Sequence, residues 1–259
     1  MNLRNDRGLA YGDGLFETIR VHDTRPVWWH EHWRRMAHGA KVLGIPLPDE
    51  TAIFAQASDV IAGQAQGVLK LILTRGSGGR GYAPPMQPQP NVLLSWHSLP
   101  EPEPDEGLNL RWCQLLLSEQ PRLAGIKHLN RLENVMARSE WSDPDIHEGL
   151  LCDGHGRLIG ATAGNVFLHL DGRWLTPRVD RCGIAGIARG WLLANIAEAA
   201  EADLTPQAVQ DCAALVVCNS VRGIRQARSL QGHAWPASPA AAELRQSLAE
   251  AEPAFSIPG

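Results

Sequence analysis

The spacing of apolar positions along the chain predicts helices and strands in mixed order. Leu15 to Val21 alternates as a strand with Phe16, Thr18 and Arg20 on one face. Asp23 to Pro26 reads as a turn, and Val27 to Trp29 as a short strand. The spacing of Trp33, Met36, Ala37, Ala40 and Leu43 predicts a helix over His30 to Gly44. A second helix is expected over Thr51 to Gln64, and strands over Gly67 to Thr74 and Asn91 to His97. Ser98 to Gly107 is acidic, proline-rich and aperiodic, which marks it as a linker between residues 1–97 and 108–259. Beyond it come a strand over Leu108 to Leu117, then an amphipathic helix with Leu129, Leu132, Val135, Met136 and Trp141 on its apolar positions. Hairpins turn at Asp153-Gly154 and at Asp171-Gly172, the latter with Asn165 to Leu170 as its first strand. A helix is predicted from Gly183 to about Ala202, a strand over Ala214 to Val217, and an alanine-rich helix over Ala240 to Ala251.

The basic residues narrow the chemistry. Of 24 lysines and arginines only three are lysines, Lys41, Lys70 and Lys127. Lys41 falls on the polar side of a helical pattern and Lys70 inside a strand-like run. Lys127 follows Gly125-Ile126 and directly precedes a helix, a place where an amine can be held rigidly. Amines form imines, and desolvation brings a lysine pKa toward the working pH. A lysine that merely flanks the helix or pairs with Glu133 has the same local pattern, and periodicity alone leaves both readings open. Gly76 to Gly81 formally matches the dinucleotide fingerprint G-x-G-x-x-G, but Pro84-Pro85 denies the helix that such a loop must open. It reads instead as a flexible clamp. His30 and His32 are too closely spaced on a helix to face one ion, so no metal is expected. Gly183 to Arg189 opens a helix, and glycines with unpaired N–H groups at a helix start suit an anion.

With 259 residues and 44% hydrophobic content the chain is long enough for one large or two smaller cores. A net charge of −4 without a basic block argues against nucleic acid and anionic membranes as partners. Five cysteines without C-x-x-C spacing fit neither a disulfide framework nor a zinc site and suggest a reducing compartment. No apolar run approaches membrane-spanning length, and the polar start lacks a signal-peptide pattern, so a cytoplasmic location is expected.

Leu123 to Val135 (LAGIKHLNRLENV) resembles the Schiff-base segment of the aminodeoxychorismate lyases. These are fold-type IV pyridoxal phosphate enzymes related to branched-chain and D-amino acid aminotransferases. Asp6 to Thr18 (DRGLAYGDGLFET), His32 to Met36 (HWRRM), Thr74 to Tyr82 (TRGSGGRGY), Gly183 to Arg189 (GIAGIAR) and Val216 to Asn219 (VVCN) are similar to the family's motifs, in the family's order. The resemblance implies a two-domain α/β (α+β) fold of the D-amino acid aminotransferase type, with the site between domains, near a homodimer interface. It implies pyridoxal 5'-phosphate bound through Lys127 and conversion of 4-amino-4-deoxychorismate to 4-aminobenzoate and pyruvate. By the same carry-over Arg35, Asn165, Gly186, Ile187, Ala188, Asn219 and Ser220 are cofactor-binding. Arg80 and Tyr82 hold substrate carboxylate, with Thr18 and Arg20 on the strand face that looks into the site.

One position departs from the pattern. Relatives carry a glutamate that pairs with the pyridine nitrogen, in a T-E-x-x-x-x-N-hydrophobic-F segment. This chain reads Ile159-Gly160-Ala161-Thr162-Ala163-Gly164-Asn165-Val166-Phe167 there. Gly160 stands where the carboxylate belongs, which weakens the ring as an electron sink. The family resemblance also leaves open a D- or branched-chain amino acid aminotransferase, and Gly160 a weakly active or non-catalytic cofactor-binding relative.

Overall fold

In the computed structural model the described residues are 3–102, 104 and 106–256. Glu103 and Asp105 of the expected linker lie outside them, as do Met1, Asn2 and the last three residues. The chain divides into two compact units, Met1–Pro100 with Ile126–Arg131, and Glu101–Gly125 with Leu132–Gly259. This differs from a single cut at the linker, because the six residues around Lys127 leave the second unit and pack with the first. Backbone pairing causes it: Phe16 N–H donates to the Lys127 carbonyl at 3.0 Å, and Leu129 N–H to the Gly14 carbonyl at 2.9 Å.

The first unit contains α1 (Arg7–Tyr11), β1 (Gly14–His22), β2 (Arg25–Pro26), α2 (Trp29–Leu43), α3 (Glu50–Ile61), β3 (Gln66–Thr74) and β4 (Asn91–His97). Its strands run in the order β2-β1-β3-β4, all antiparallel. Strand alternation sends Leu15, Ile19 and Val21 into the core, where Met36 and Ala40 of α2 and Leu69, Leu71 and Leu73 of β3 are also buried. Each of the larger of these side chains contributes roughly 1.5–3 kcal/mol by leaving water. Asp49 caps α3 by accepting from Ala52 N–H at 2.9 Å. The expected strand over Val27 to Trp29 does not form. Asp23 and Thr24 take positive φ, the turn closes on Arg25–Pro26, and α2 begins at Trp29.

The second unit contains β5 (Leu108–Leu117), α4 (Leu132–Arg138), β6 (Glu148–Asp153), β7 (Leu158–Ala161), β8 (Asn165–Leu170), β9 (Arg173–Pro177), α5 (Ile187–Asn195), β10 (Ala200–Ala202), α6 (Pro206–Asp211), β11 (Ala214–Asn219), β12 (Gly223–Leu230), β13 (His233–Ala234) and α7 (Pro239–Ala251). Among the described residues its sheet runs β10-β9-β8-β11-β12-β5-β6-β7, with β13 added to β12. Asp171 and Gly172 both have positive φ, the conformation an Asp-Gly hairpin turn requires. Two expectations change. The helix opened at Gly186 stops at Asn195, and Ala200–Ala202 pairs instead with β9, so sheet formation overrides the helical preference of an alanine-rich run. Helix α4 starts only at Leu132. Its Leu132, Val135 and Met136 are 70%, 58% and 58% exposed, whereas Trp141, beyond its end, is buried.

Candidate active site

In the first unit the site is built on β1 and α2. Glu17 lies on the core-facing side of β1, between Leu15 and Ile19, where a carboxylate needs partners. Helix α2 supplies two from adjacent positions on one face, His32 and Arg35. Arg35 donates from Nε to Glu17 Oε1 at 2.9 Å and from Nη2 to Oε2 at 2.5 Å. His32 Nδ1 is 2.6 Å from the same Oε2. Burial pushes the Glu17 carboxyl up, but the charges of Arg35 and His32 outweigh it and hold it at about 2. Burial lowers the His32 pKa against the pull of its carboxylate neighbour, and the buried Nε2 on the far side of the ring has no hydrogen-bond partner.

Lys127 belongs to the same unit. Its Nζ lies 4.4 Å from the centre of the Phe16 ring. Desolvation, with Arg35 repulsion second, pushes the amine down to about 8, while Glu17 acts in the opposite direction. Lys127 and Arg35 are thus close enough for the charge of one to act on the other. The Nε/Nη2 edge of Arg35 is committed to Glu17. Thr18 and Arg20 share the half-buried face of β1 with Phe16 and sit opposite Lys70 and Val68 of β3. Arg80 and Tyr82 are exposed on the loop after β3, where Tyr82 meets the Tyr11 ring edge-on at 5.4 Å.

In the second unit the turn 183–186 leads into α5. Gly186 occupies the N-cap without a side-chain cap, so the first N–H groups of the helix keep their capacity for an anion. A Cβ on Gly186 would fall 2.1 Å from Asn165 Oδ1. Asn165 donates from Nδ2 to the Ile184 carbonyl at 2.9 Å, so this residue shapes the turn. Ile187 is half-buried and Ala188 buried. Asn219 likewise works on backbone: its Oδ1 accepts from Val221 and Arg222 N–H, and its Nδ2 donates to the Ala163 carbonyl at 3.2 Å. This fixes the turn that carries the buried Ser220. A cavity of about 300 Å³ in this unit has Arg138, Arg222, Arg225, His147 and Asn219 in its wall.

Pyridoxal phosphate needs an amine of lowered pKa, phosphate donors, and a partner for its ring nitrogen. In the first unit Lys127 is an amine of that kind, and in the second the uncapped start of α5 behind Gly186 is suited to an anion. Gly160 does not meet the third. Glu148, a buried carboxylate on the neighbouring strand, does not replace it. Its oxygens accept from Gly149, Thr162 and Ala163 N–H and from the Thr162 hydroxyl, so it is committed to holding the turn after β7. Among the described residues no group of His, Cys, Asp and Glu is placed to hold a metal. Of the residues that organise the site, Glu17 and His32 were missed as functional, although a glutamate at a core-facing strand position signals a buried partner.

Comparison with known proteins agrees with this geometry. The model of the family described as amino-transferase class IV matches residues 14–230. The aminodeoxychorismate lyase of Vibrio harveyi is 31% identical over 226 residues, covering 85% of this chain and 83% of that protein. The crystal structure of 4-amino-4-deoxychorismate lyase from Pseudomonas aeruginosa superposes with a TM-score of 0.91 at 40% identity, over 96% of this chain and 95% of that one. The branched-chain amino acid aminotransferase of Escherichia coli has the same fold, with a TM-score of 0.81 at 20% identity over 95% and 87% of the two chains. The match extends from β1 through β12 and takes in the lysine, both of its charged neighbours and the turn before α5; the chain belongs to the amino-transferase class IV family.

Proposed function

We propose that this protein is a pyridoxal phosphate-dependent lyase that converts 4-amino-4-deoxychorismate to 4-aminobenzoate and pyruvate. The observation that carries the reading is Lys127, an amine lowered to about 8 against Phe16 and beside the Glu17–Arg35 pair. The lyase relatives at 31% and 40% identity support it. The cofactor supplies an aldehyde for the amine and a ring that withdraws electrons from the substrate carbon.

At pH 7 an amine with that pKa is roughly a tenth neutral, enough to act as nucleophile and then, at Nζ, as general base and acid. The residues assigned to binding the cofactor phosphate are Arg35 in the first unit and, in the second, Ser220 and the N–H groups of Ile187 and Ala188. Glu17 fixes the plane of the Arg35 guanidinium, while Asn165, Gly186 and Asn219 shape the backbone that presents the other donors. Arg80 and Tyr82, with Thr18 and Arg20, would hold the substrate carboxylates. Loss of a ring-nitrogen partner at Gly160 is better tolerated here than in a transaminase, because expulsion of enolpyruvate creates an aromatic product and is itself downhill.

The polar–apolar distribution supports two further assignments. Leu116, Leu132, Val135 and Met136 are exposed apolar side chains of β5 and α4, which suits burial against a second copy of the chain in a homodimer. Light scattering would show a monomer if that is wrong. The five cysteines are unpaired and buried, which fits the reducing cytoplasm, and no helix among the described residues is long and apolar enough to cross a membrane. The activity is tested by supplying purified protein and cofactor with 4-amino-4-deoxychorismate, and separately with an amino donor and a 2-oxo acid. Release of 4-aminobenzoate is expected; exchange between amino and oxo acids without it would replace the lyase by an aminotransferase. Gly160 favours a second reading, a weakly active or non-catalytic cofactor-binding relative, for which binding without either product would be the outcome.

A further inference from the structure

The glycine-rich loop after β3 is fastened by a buried arginine that the cofactor chemistry does not use. Arg7 is 4% exposed, at the start of α1. Its Nη1 donates to the Gly81 carbonyl at 3.1 Å and the Ala83 carbonyl at 3.3 Å, and its Nη2 to the Tyr82 carbonyl at 2.8 Å. Three successive residues are thus gripped by one guanidinium. The remaining donor, Nε, is held by Asp13 Oδ2 at 2.8 Å, and Arg75 clasps the same carboxylate from the other side at 2.7 Å. Arg75 in turn donates to the carbonyls of Leu43 and Gly44 at the end of α2, which ties the anchor to the rigid part of the unit. The Arg7 guanidinium also lies 4.9 Å from the Tyr11 ring, which packs edge-on against Tyr82.

The loop's composition answers to this arginine. A Cβ on Gly78 would fall 2.6 Å from Arg7 Cδ, so the loop crosses the arginine stem only where it has no side chain. Asp6 secures the adjoining backbone: its Oδ1 accepts from Gly8 N–H, and its Oδ2 from the Thr74 hydroxyl and Asn91 Nδ2. Such a fork-shaped donor holds a loop in one conformation at little entropic cost, because the guanidinium is planar and preorganised.

We propose that Arg7 is the positioning residue of the 77–83 loop, holding the backbone of Gly81, Tyr82 and Ala83 so that the Arg80 and Tyr82 side chains are presented to an anionic substrate group. The role given to Arg80 and Tyr82 rests on the lyase reading above; the tether itself does not. The test uses full-length cofactor-loaded protein carrying Arg7→Met, Arg7→Lys or Gly78→Val, the last displacing the arginine stem without removing its charge. Native-state trypsin cleavage after Arg80 reads loop opening, and KM against kcat for 4-amino-4-deoxychorismate reads presentation.

Cleavage at Arg80 about tenfold faster in Arg7→Met, with KM raised by a similar factor and kcat nearly unchanged, is the expected result. Arg7→Lys should fall between wild type and Arg7→Met, and Gly78→Val should decide the matter if Arg7→Met does not fold. Unchanged cleavage at Arg80 overturns the tether. Faster cleavage with unchanged KM overturns its role in presenting the substrate. If wild-type protein makes no 4-aminobenzoate the lyase reading falls, while the cleavage rates still decide for or against the tether.

Discussion

Replacing Glu17 by glutamine removes one negative charge from a place where Arg35 is hydrogen-bonded to it and where His32 and Lys127 both feel it. Two routes give the magnitude. The carboxyl falls from 4.5 to about 2 on folding, and at 1.36 kcal/mol per unit that linkage is about 3 kcal/mol. Independently, removing one partner of a buried ion pair costs about 3–5 kcal/mol, and the side chains of Glu17 and Arg35 are only 2% and 10% exposed. The two agree on a loss of about 3 kcal/mol, which lowers Tm by roughly 6–12 °C in a chain of this size.

The sign with pH follows from the direction of the shift. A depressed carboxylate pKa gives stability that is complete above about 4.5 and is lost as pH falls toward 2. Thermal or urea unfolding of wild type and Glu17→Gln should therefore differ by a constant amount from pH 6 to pH 8, with the difference shrinking below about 4.5 and closing as pH approaches 2. The amine should respond too. With its attractive partner gone, Lys127 should titrate below its wild-type value in the pH dependence of its reaction with trinitrobenzenesulfonate. A variant as stable as wild type at pH 7, or a difference that persists unchanged at pH 3, refutes the ion-pair argument.

Lys127→Met should abolish 4-aminobenzoate formation yet stabilise the apo-protein at pH 7. A lysine whose pKa drops on folding costs stability below about 8, and that cost fades as pH rises toward 10.5. Discounted for the residue's partial exposure, the gain should be about 1–2 kcal/mol in urea unfolding. Gly186→Val places a Cβ 2.1 Å from Asn165 Oδ1 and should weaken cofactor binding by roughly tenfold or more in a spectroscopic titration, with Lys127 reactivity unchanged. Gly160→Glu should raise turnover, because the new Cβ is accommodated once the Gly164 carbonyl oxygen, 3.1 Å away, gives by a few tenths of an ångström, and a carboxylate there can keep the ring nitrogen protonated. No change in rate on restoring that acid would show that the reaction does not depend on it.

Strands were the most legible part of the fold. β4 and β5 have the bounds predicted, Asn91–His97 and Leu108–Leu117, because each is a short apolar-rich run ended by proline, glycine or polar residues. Helix ends were less legible where the alternative was a distant pairing. Nothing near Ala200 announces that it will line up with Leu175 of β9. The apolar stripe of α4 was visible, but a periodic stripe does not say what covers it, and Leu132, Val135 and Met136 remain open to solvent in the chain described. For the site, the lysine and the glycines before α5 stood out because amines are scarce in this sequence and because helix starts have a recognisable form. Arg7 did not: its acceptors lie more than seventy residues along the chain, Gly81, Tyr82 and Ala83, and each is a backbone carbonyl that side-chain pattern does not reveal.

Reduction of cofactor-treated protein with borohydride, followed by peptide mass mapping, asks directly which amine meets the aldehyde. The structure makes Lys127 the lowered, sheltered amine, so a single pyridoxyl adduct on the peptide containing Ile126-Lys127-His128 is the predicted result. An adduct on Lys41 or Lys70, or a protein that takes up no cofactor at all, would contradict the account.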